Sequence, residues 1–227
     1  MQMHPALRTA DMPRAQGRFA RWQFFFKIFL KHPREIASIC PSSAQLIARV
    51  LAPIAWRHAR LIVEYGPGIG TISQTILAHM HRDARLVLCE SNSDFCQYLR
   101  AHFLDPRVLI FEGSAAEIGN YLMRQQLGQA DVVISGIPFS TMVPHVADAI
   151  CAATARHLRA GGAFIAYQFS DRVAFYMRRH FKRLVRSCIW WNLPPAHVYV
   201  AQVPVGGSCA QAAREQHIES REEPVGK

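Results

Sequence analysis

From Arg60 onward the chain alternates short apolar runs with longer segments of helical period, and this alternation restricts its fold more than any other feature. LIVEY (61–65), RLVLCE (85–90), RVLIFEG (107–113) and DVVISG (131–136) have the length of strands and are flanked by Gly, Pro or Asp. TISQTILAHM, SDFCQYLRAHF and AAEIGNYLMRQQL lie between them and place apolar residues at helical spacing. A strand that returns through a helix pairs parallel, because the crossover restores the chain direction. A fifth strand, GAFIAYQF (162–169), follows the helical segment VPHVADAICAATARHLRAGG, whose Gly161 and Gly162 are expected to form its C-cap. After a helix over DRVAFYMRRHF, the runs VRSCIWW and AHVYVAQV are separated only by NLPP, so they must pair antiparallel. The expected fold is α/β and Rossmann-like: a mostly parallel seven-stranded sheet closed by an antiparallel strand pair.

At 227 residues, half of them hydrophobic, the chain suffices for one domain with an appendage. The expected division is a flexible 1–17, an N-terminal helical region over 18–60, a catalytic domain over 61–205 and a polar tail over 206–227. Lys and Arg interrupt every candidate for the roughly 20 apolar residues of a membrane-spanning helix. The first residues lack the apolar core and cleavage site of a secretory signal, so a cytoplasmic location is expected. Six scattered cysteines show no paired spacing, which argues against zinc and against a disulfide framework. No metal is expected. Of the formal net charge of +10, most sits in residues 1–60, where ten Lys and Arg face only Asp11 and Glu35. An anionic partner is therefore expected, either phospholipid or nucleic acid.

The first strand runs directly into Glu64-Tyr65-Gly66-Pro67-Gly68-Ile69-Gly70, and a helix follows. Glycines at 66, 68 and 70 allow a tight turn and close approach of the backbone to a ligand at the C-terminal edge of the sheet. The spacing differs from the dinucleotide fingerprint, and Glu64 would repel a pyrophosphate but can orient the loop or meet an ammonium. Glu90 closes the second strand where a carboxylate accepting both ribose hydroxyls belongs. Together these features resemble the class I S-adenosylmethionine-dependent methyltransferases over about Leu61 to Val203. That resemblance implies S-adenosylmethionine as cofactor, held by Glu64, Gly66, Gly68, Gly70 and Glu90, with Ser91 and Ser135 at neighbouring strand ends. Ser114 and Ala115 stand where the family often has an acid facing the adenine.

The fourth strand ends in Ser135-Gly136-Ile137-Pro138-Phe139-Ser140. Amino-directed methyltransferases often carry N-x-P-[YF] here, and this chain has Gly136 in place of the Asn. An exocyclic base nitrogen is thereby disfavoured, because that side chain normally reads its planar geometry. An alkyl amine instead needs a lone pair aligned with the S–CH3 bond. Carbonyls at Gly136 and Ile137, the ring of Phe139, and Tyr65 within the loop are the expected acceptor groups, with His197 as proton acceptor and Tyr199 as cation cage.

The N-terminal region supplies the partner. On a helical wheel from Arg18, Phe19, Trp22, Phe25, Phe26, Phe29 and Leu30 share an arc of roughly 140°, with Lys27, Lys31 and Arg34 opposite. Such a helix can lie in an anionic bilayer interface. The blocks F-F-K-I-F-L-K-H-P, C-P-S-S (40–43), E-Y-G-P-G-I-G, S-G-I-P-F-S and N-L-P-P-A-H-V-Y resemble the bacterial phospholipid N-methyltransferases over residues 22–203. This implies a peripheral enzyme of the inner membrane that methylates phosphatidylethanolamine toward phosphatidylcholine. Ser42 and Ser43 then cap a helix or meet the donor carboxylate or lipid phosphate. Lys31 and Arg34 would contact phosphate, and a second basic cluster runs from Arg172 to Arg186. The competing class is a nucleic-acid enzyme related to the ribosomal RNA adenine dimethylases. It is disfavoured by Gly136 and by the lack of a recognisable RNA-binding module after Val203.

Overall fold

A computed structural model describes residues 44–189 and 196–204. The N-terminal amphipathic segment with Trp22, Phe25, Phe26, Lys27, Phe29, Lys31 and Arg34, the pair Ser42 and Ser43, the NLPP turn and the polar tail lie outside these residues.

Seven strands form one sheet in the order β3-β2-β1-β4-β5-β7-β6. They are β1 Leu61–Tyr65, β2 Arg85–Glu90, β3 Val108–Glu112, β4 Ala130–Ser135, β5 Leu158–Gln168, β6 Arg183–Ile189 and β7 Ala196–Gln202. The first five pair in parallel, and β7 runs antiparallel to both β5 and β6, as the α/β reading requires. The helices are α1 Ala44–Leu51, α2 Thr71–His79, α3 Ser93–His102, α4 Ile118–Arg124, α5 Pro144–His157 and α6 Arg172–His180.

β1 is buried at every position, because helices cover both faces of the parallel region. One face packs Val63, Val133, Phe164 and Ala201 against α5 and α6 residues such as Ile150 and Met177. The other packs Ile62, Leu88, Ile165 and Val198 against Leu46 and Val50 of α1 and Ile72 and Ile76 of α2. Thus Leu46, Val50 and Leu51, which precede the expected start of the catalytic domain, lie in the core of the sheet.

One local expectation is corrected. α5 ends at His157 rather than at the glycines, and Leu158 is already extended, its amide bonded to the Thr154 carbonyl. Gly161, at φ 76°, and Gly162 fall instead in an irregular start of β5, where they exchange backbone hydrogen bonds with Val203. Tertiary pairing with β4 and with the chain after β7 outcompetes the helix cap here. Asp131 fixes the same end of the sheet, accepting from the amides of Arg60 and Leu61 and pairing with Arg159.

Candidate active site

The donor side is built at the C-terminal ends of β1 and β2. Gly66, Gly68 and Gly70 have φ of 67°, 57° and 75°, the left-handed region that disfavours any residue with a Cβ. Two of them are also closely approached by side chains. A Cβ on Gly66 would lie 2.7 Å from Cγ2 of Ile137, and one on Gly70 would lie 2.4 Å from the Phe103 ring. The loop is therefore packed between α3 and the segment after β4.

Glu90 organises this corner. One carboxylate oxygen accepts from the amide of Gly68 at 3.2 Å, and the other accepts from the amides of Ser91 and Asn92 at 2.9 and 3.0 Å. An ionised carboxylate is an acceptor only, which suits the two hydroxyl donors of a ribose. Asn92 then caps α3 through its own side chain, accepting from Asp94 and Phe95. Ser91 takes part through its backbone, with an exposed side chain.

Glu64 lies on the same face of the sheet, fully inside, and accepts a 2.6 Å hydrogen bond from the Ser73 hydroxyl. Burial pushes its carboxyl up to about 7. The Ser73 bond opposes that rise, and the nearby charge of Glu90 adds to it. A buried carboxyl of this kind gains from a cation arriving with the ligand. Among the described residues no cation is bonded to it. Ser114 caps the short helical turn Ala115–Glu117 by accepting from the Ala116 amide at 3.2 Å, and Ala115 is buried beside it. The residues present fit S-adenosylmethionine: an acceptor for the ribose, glycines for close approach, and a carboxyl that favours an ammonium.

The acceptor side departs further from expectation. Tyr65 is fully buried, and its hydroxyl pairs with Thr154 of α5 at 3.2 Å, so it is a core residue rather than a group at the reacting centre. Phe139 is also fully buried and packs toward Tyr176 of α6, with ring centroids 6.5 Å apart; it offers no face to a substrate. Tyr199 is sealed inside, and the cation over its ring is the guanidinium of Arg186, at 6.0 Å. It cages that arginine. Ser135 shares this interior face with Val133. It is fully buried, and among the described residues its hydroxyl has no partner.

For Tyr65, Ser135 and Tyr199 the cause is strand parity, since with Ala166 and Arg186 they form one row across the sheet under α5 and α6. His197 is half-buried with Nε2 3.1 Å from Arg186, and burial and then that arginine push its pKa below the ordinary imidazole value. Both effects weaken it as a proton acceptor. The basic residues Arg172 to Arg186 lie on α6, on β6 and, for Lys182, between them; Arg179 pairs with Asp148 and Arg172 donates to the Ser140 carbonyl.

Gly136 and Ile137 follow β4 directly and lie against the glycine loop. The Gly136 amide donates to the Tyr65 carbonyl, which ties the segment after β4 to the glycine loop. The Ile137 carbonyl, expected to receive the substrate amine, already accepts from the Phe139 amide at 3.0 Å and the Gln168 side-chain amide at 2.8 Å. Gln168, Tyr167 and Ser73 are the residues that the sequence reading missed. They belong to no motif, and only the face of their strand or helix signals them.

A sheet of this order, with a glycine loop after β1, an acid ending β2 and an antiparallel seventh strand, defines the class I methyltransferase fold. Solved structures agree: the O-methyltransferase TomG from Streptomyces achromogenes, solved with S-adenosylmethionine, superposes with a TM-score of 0.58 at 17% identity over 79% of this chain and 89% of that one. A precorrin-6y C5,15-methyltransferase from Geobacter metallireducens gives 0.57 at 15% identity over 71% and 88%. No family model matches the chain. An ornithine lipid N-methyltransferase from Singulisphaera acidiphila is 31% identical over 179 residues, 77% of this chain and 92% of that protein. The chain belongs to that lipid N-methyltransferase family.

Proposed function

We propose that this protein transfers methyl groups from S-adenosylmethionine to the primary amine of phosphatidylethanolamine and its methylated products at a membrane surface, toward phosphatidylcholine. The observation that carries this reading is Gly136 at the end of β4 in a chain of this family: the position has no amide or carboxylate to read a planar base nitrogen. When bound, the donor supplies a methyl on a sulfonium; the amine lone pair forms the N–C bond, the S–C pair returns to sulfur, and a proton then leaves the ammonium product. The chain's own part is to align the groups and exclude water. Glu90 and the glycine loop hold the donor edge, and Gln168 fixes the segment over which the amine enters.

The aromatic face of residues 19–30 and its opposing Lys27, Lys31 and Arg34 would dock the enzyme on anionic lipid, placing it peripherally on the cytoplasmic face of the inner membrane. Among the described residues no helix is long and apolar enough to cross a membrane. A second reading, ornithine lipid as acceptor, is favoured by the relative of that specificity. Both lipids present an alkyl amine. The test offers labelled S-adenosylmethionine with phosphatidylethanolamine vesicles, ornithine lipid vesicles and ribosomal RNA in parallel. Label extracted with phosphatidylethanolamine supports the proposal; label in ornithine lipid alone moves it to the second reading; label in RNA overturns both.

A further inference from the structure

A side chain at position 136 would meet the end of Tyr167 as that tyrosine is placed. A Cβ built there would stand 2.2 Å from the hydroxyl oxygen of Tyr167 and 2.7 Å from its Cζ. Backbone conformation does not call for glycine here, since Gly136 is not among the glycines of positive φ. Tyr167 comes from the neighbouring strand β5, is half-buried, and packs on the apolar face beneath α1 and α2. The next residue, Gln168, points to the opposite face and holds the Ile137 carbonyl. Two consecutive residues of one strand thus grip the Gly136–Ile137 segment from both faces of the sheet.

We infer that Tyr167 is the residue that orients the acceptor nitrogen. Its phenol oxygen lies where a side chain at position 136 would begin, at the C-terminal edge of β4 and beside the glycine loop. A phenol oxygen accepts an N–H from a neutral alkyl amine without demanding a planar group, and this leaves the amine lone pair for the methyl. The ring behind it closes the place that an amide-reading side chain would need. Acceptor specificity is therefore written in β5 rather than in the motif after β4. This inference rests on the reading of the site as an aminolipid methyltransferase.

The test is Tyr167→Phe in the full-length protein, with donor Kd by calorimetry, thermal melting, and kcat and KM on phosphatidylethanolamine and ornithine lipid vesicles. Donor Kd and melting should stay near those of the unsubstituted enzyme while kcat falls about 10- to 100-fold. Tyr167→Ala should lose at least as much, and adding Gly136→Asn to it should recover part of the turnover by returning an oxygen from the other strand. An unchanged kcat in Tyr167→Phe overturns the inference, as does a loss of donor affinity that matches the loss of kcat. If the unsubstituted enzyme modifies neither lipid, the acceptor class falls and this inference with it, and that failure is visible before any variant is made.

Discussion

The donor half of the site, β1 to β3, and the acceptor half, β4 to β7, are built on different principles. In the donor half two carboxyls bond groups that lie in or beside recognisable motifs: Glu90 accepts from Gly68 across the strand pair and from Ser91 and Asn92 next to it, and Glu64 accepts from Ser73. In the acceptor half the groups that shape the crevice reach across strands, as Tyr167 and Gln168 do to Gly136 and Ile137. Chemistry that sits in motifs can be read along the chain, whereas chemistry that no motif marks depends on which face each residue takes.

The largest effect should separate the halves completely. Glu90→Ala removes the acceptor that binds the loop and, in the proposed reading, the donor ribose, and donor binding by calorimetry should fall by more than about 100-fold. Unchanged affinity would erase the contrast. Glu64 supplies the next effect. Its folded carboxyl titrates near 7, above the ordinary 4.5, so the stability tied to its neutral form is complete below pH 4.5 and is lost as pH rises through about 7. Denaturant titration of the donor-free protein should lose about 3 kcal/mol from this group between pH 4.5 and 8, and Glu64→Gln should remove that slope. Donor affinity should run the other way, rising as pH approaches 7 with proton release, because the donor ammonium favours the ionised carboxyl.

Gln168→Leu tests the acceptor half alone. Removing one of the two donors to the Ile137 carbonyl should lower kcat/KM for the lipid by about tenfold with donor Kd unchanged. The smallest effect checks the interior. Tyr65→Phe breaks only the bond to Thr154, so melting should report a loss of about 1 kcal/mol while kcat and KM stay as they were. A large fall in kcat would return Tyr65 to the reacting centre.

The same contrast explains what was legible in the sequence. All seven strands and the antiparallel closure follow from apolar runs and turn residues, and the positive φ of Gly66, Gly68 and Gly70 follows from their spacing. Tyr65, Phe139 and Tyr199 stand out as aromatic residues beside motifs, but parity turns two of them under α5 and α6, and the turn after Pro138 buries the third. Tyr167 and Gln168 sit in an ordinary apolar strand. Their importance depends on the register of β5 against β4, in which Ser135 meets Ala166, and no run of consecutive residues encodes that pairing.

β7, the last of the described strands, fills an interior slot between β5 and β6. A polypeptide growing from its N-terminus therefore assembles the glycine loop, Glu90 and the crevice beside them before the strand that covers β5 has been made. During that interval β5 presents an open edge to any other nascent chain, and a stop before Ala196 would leave that edge exposed for good. Premature termination here should yield aggregates rather than a half-enzyme that binds its donor.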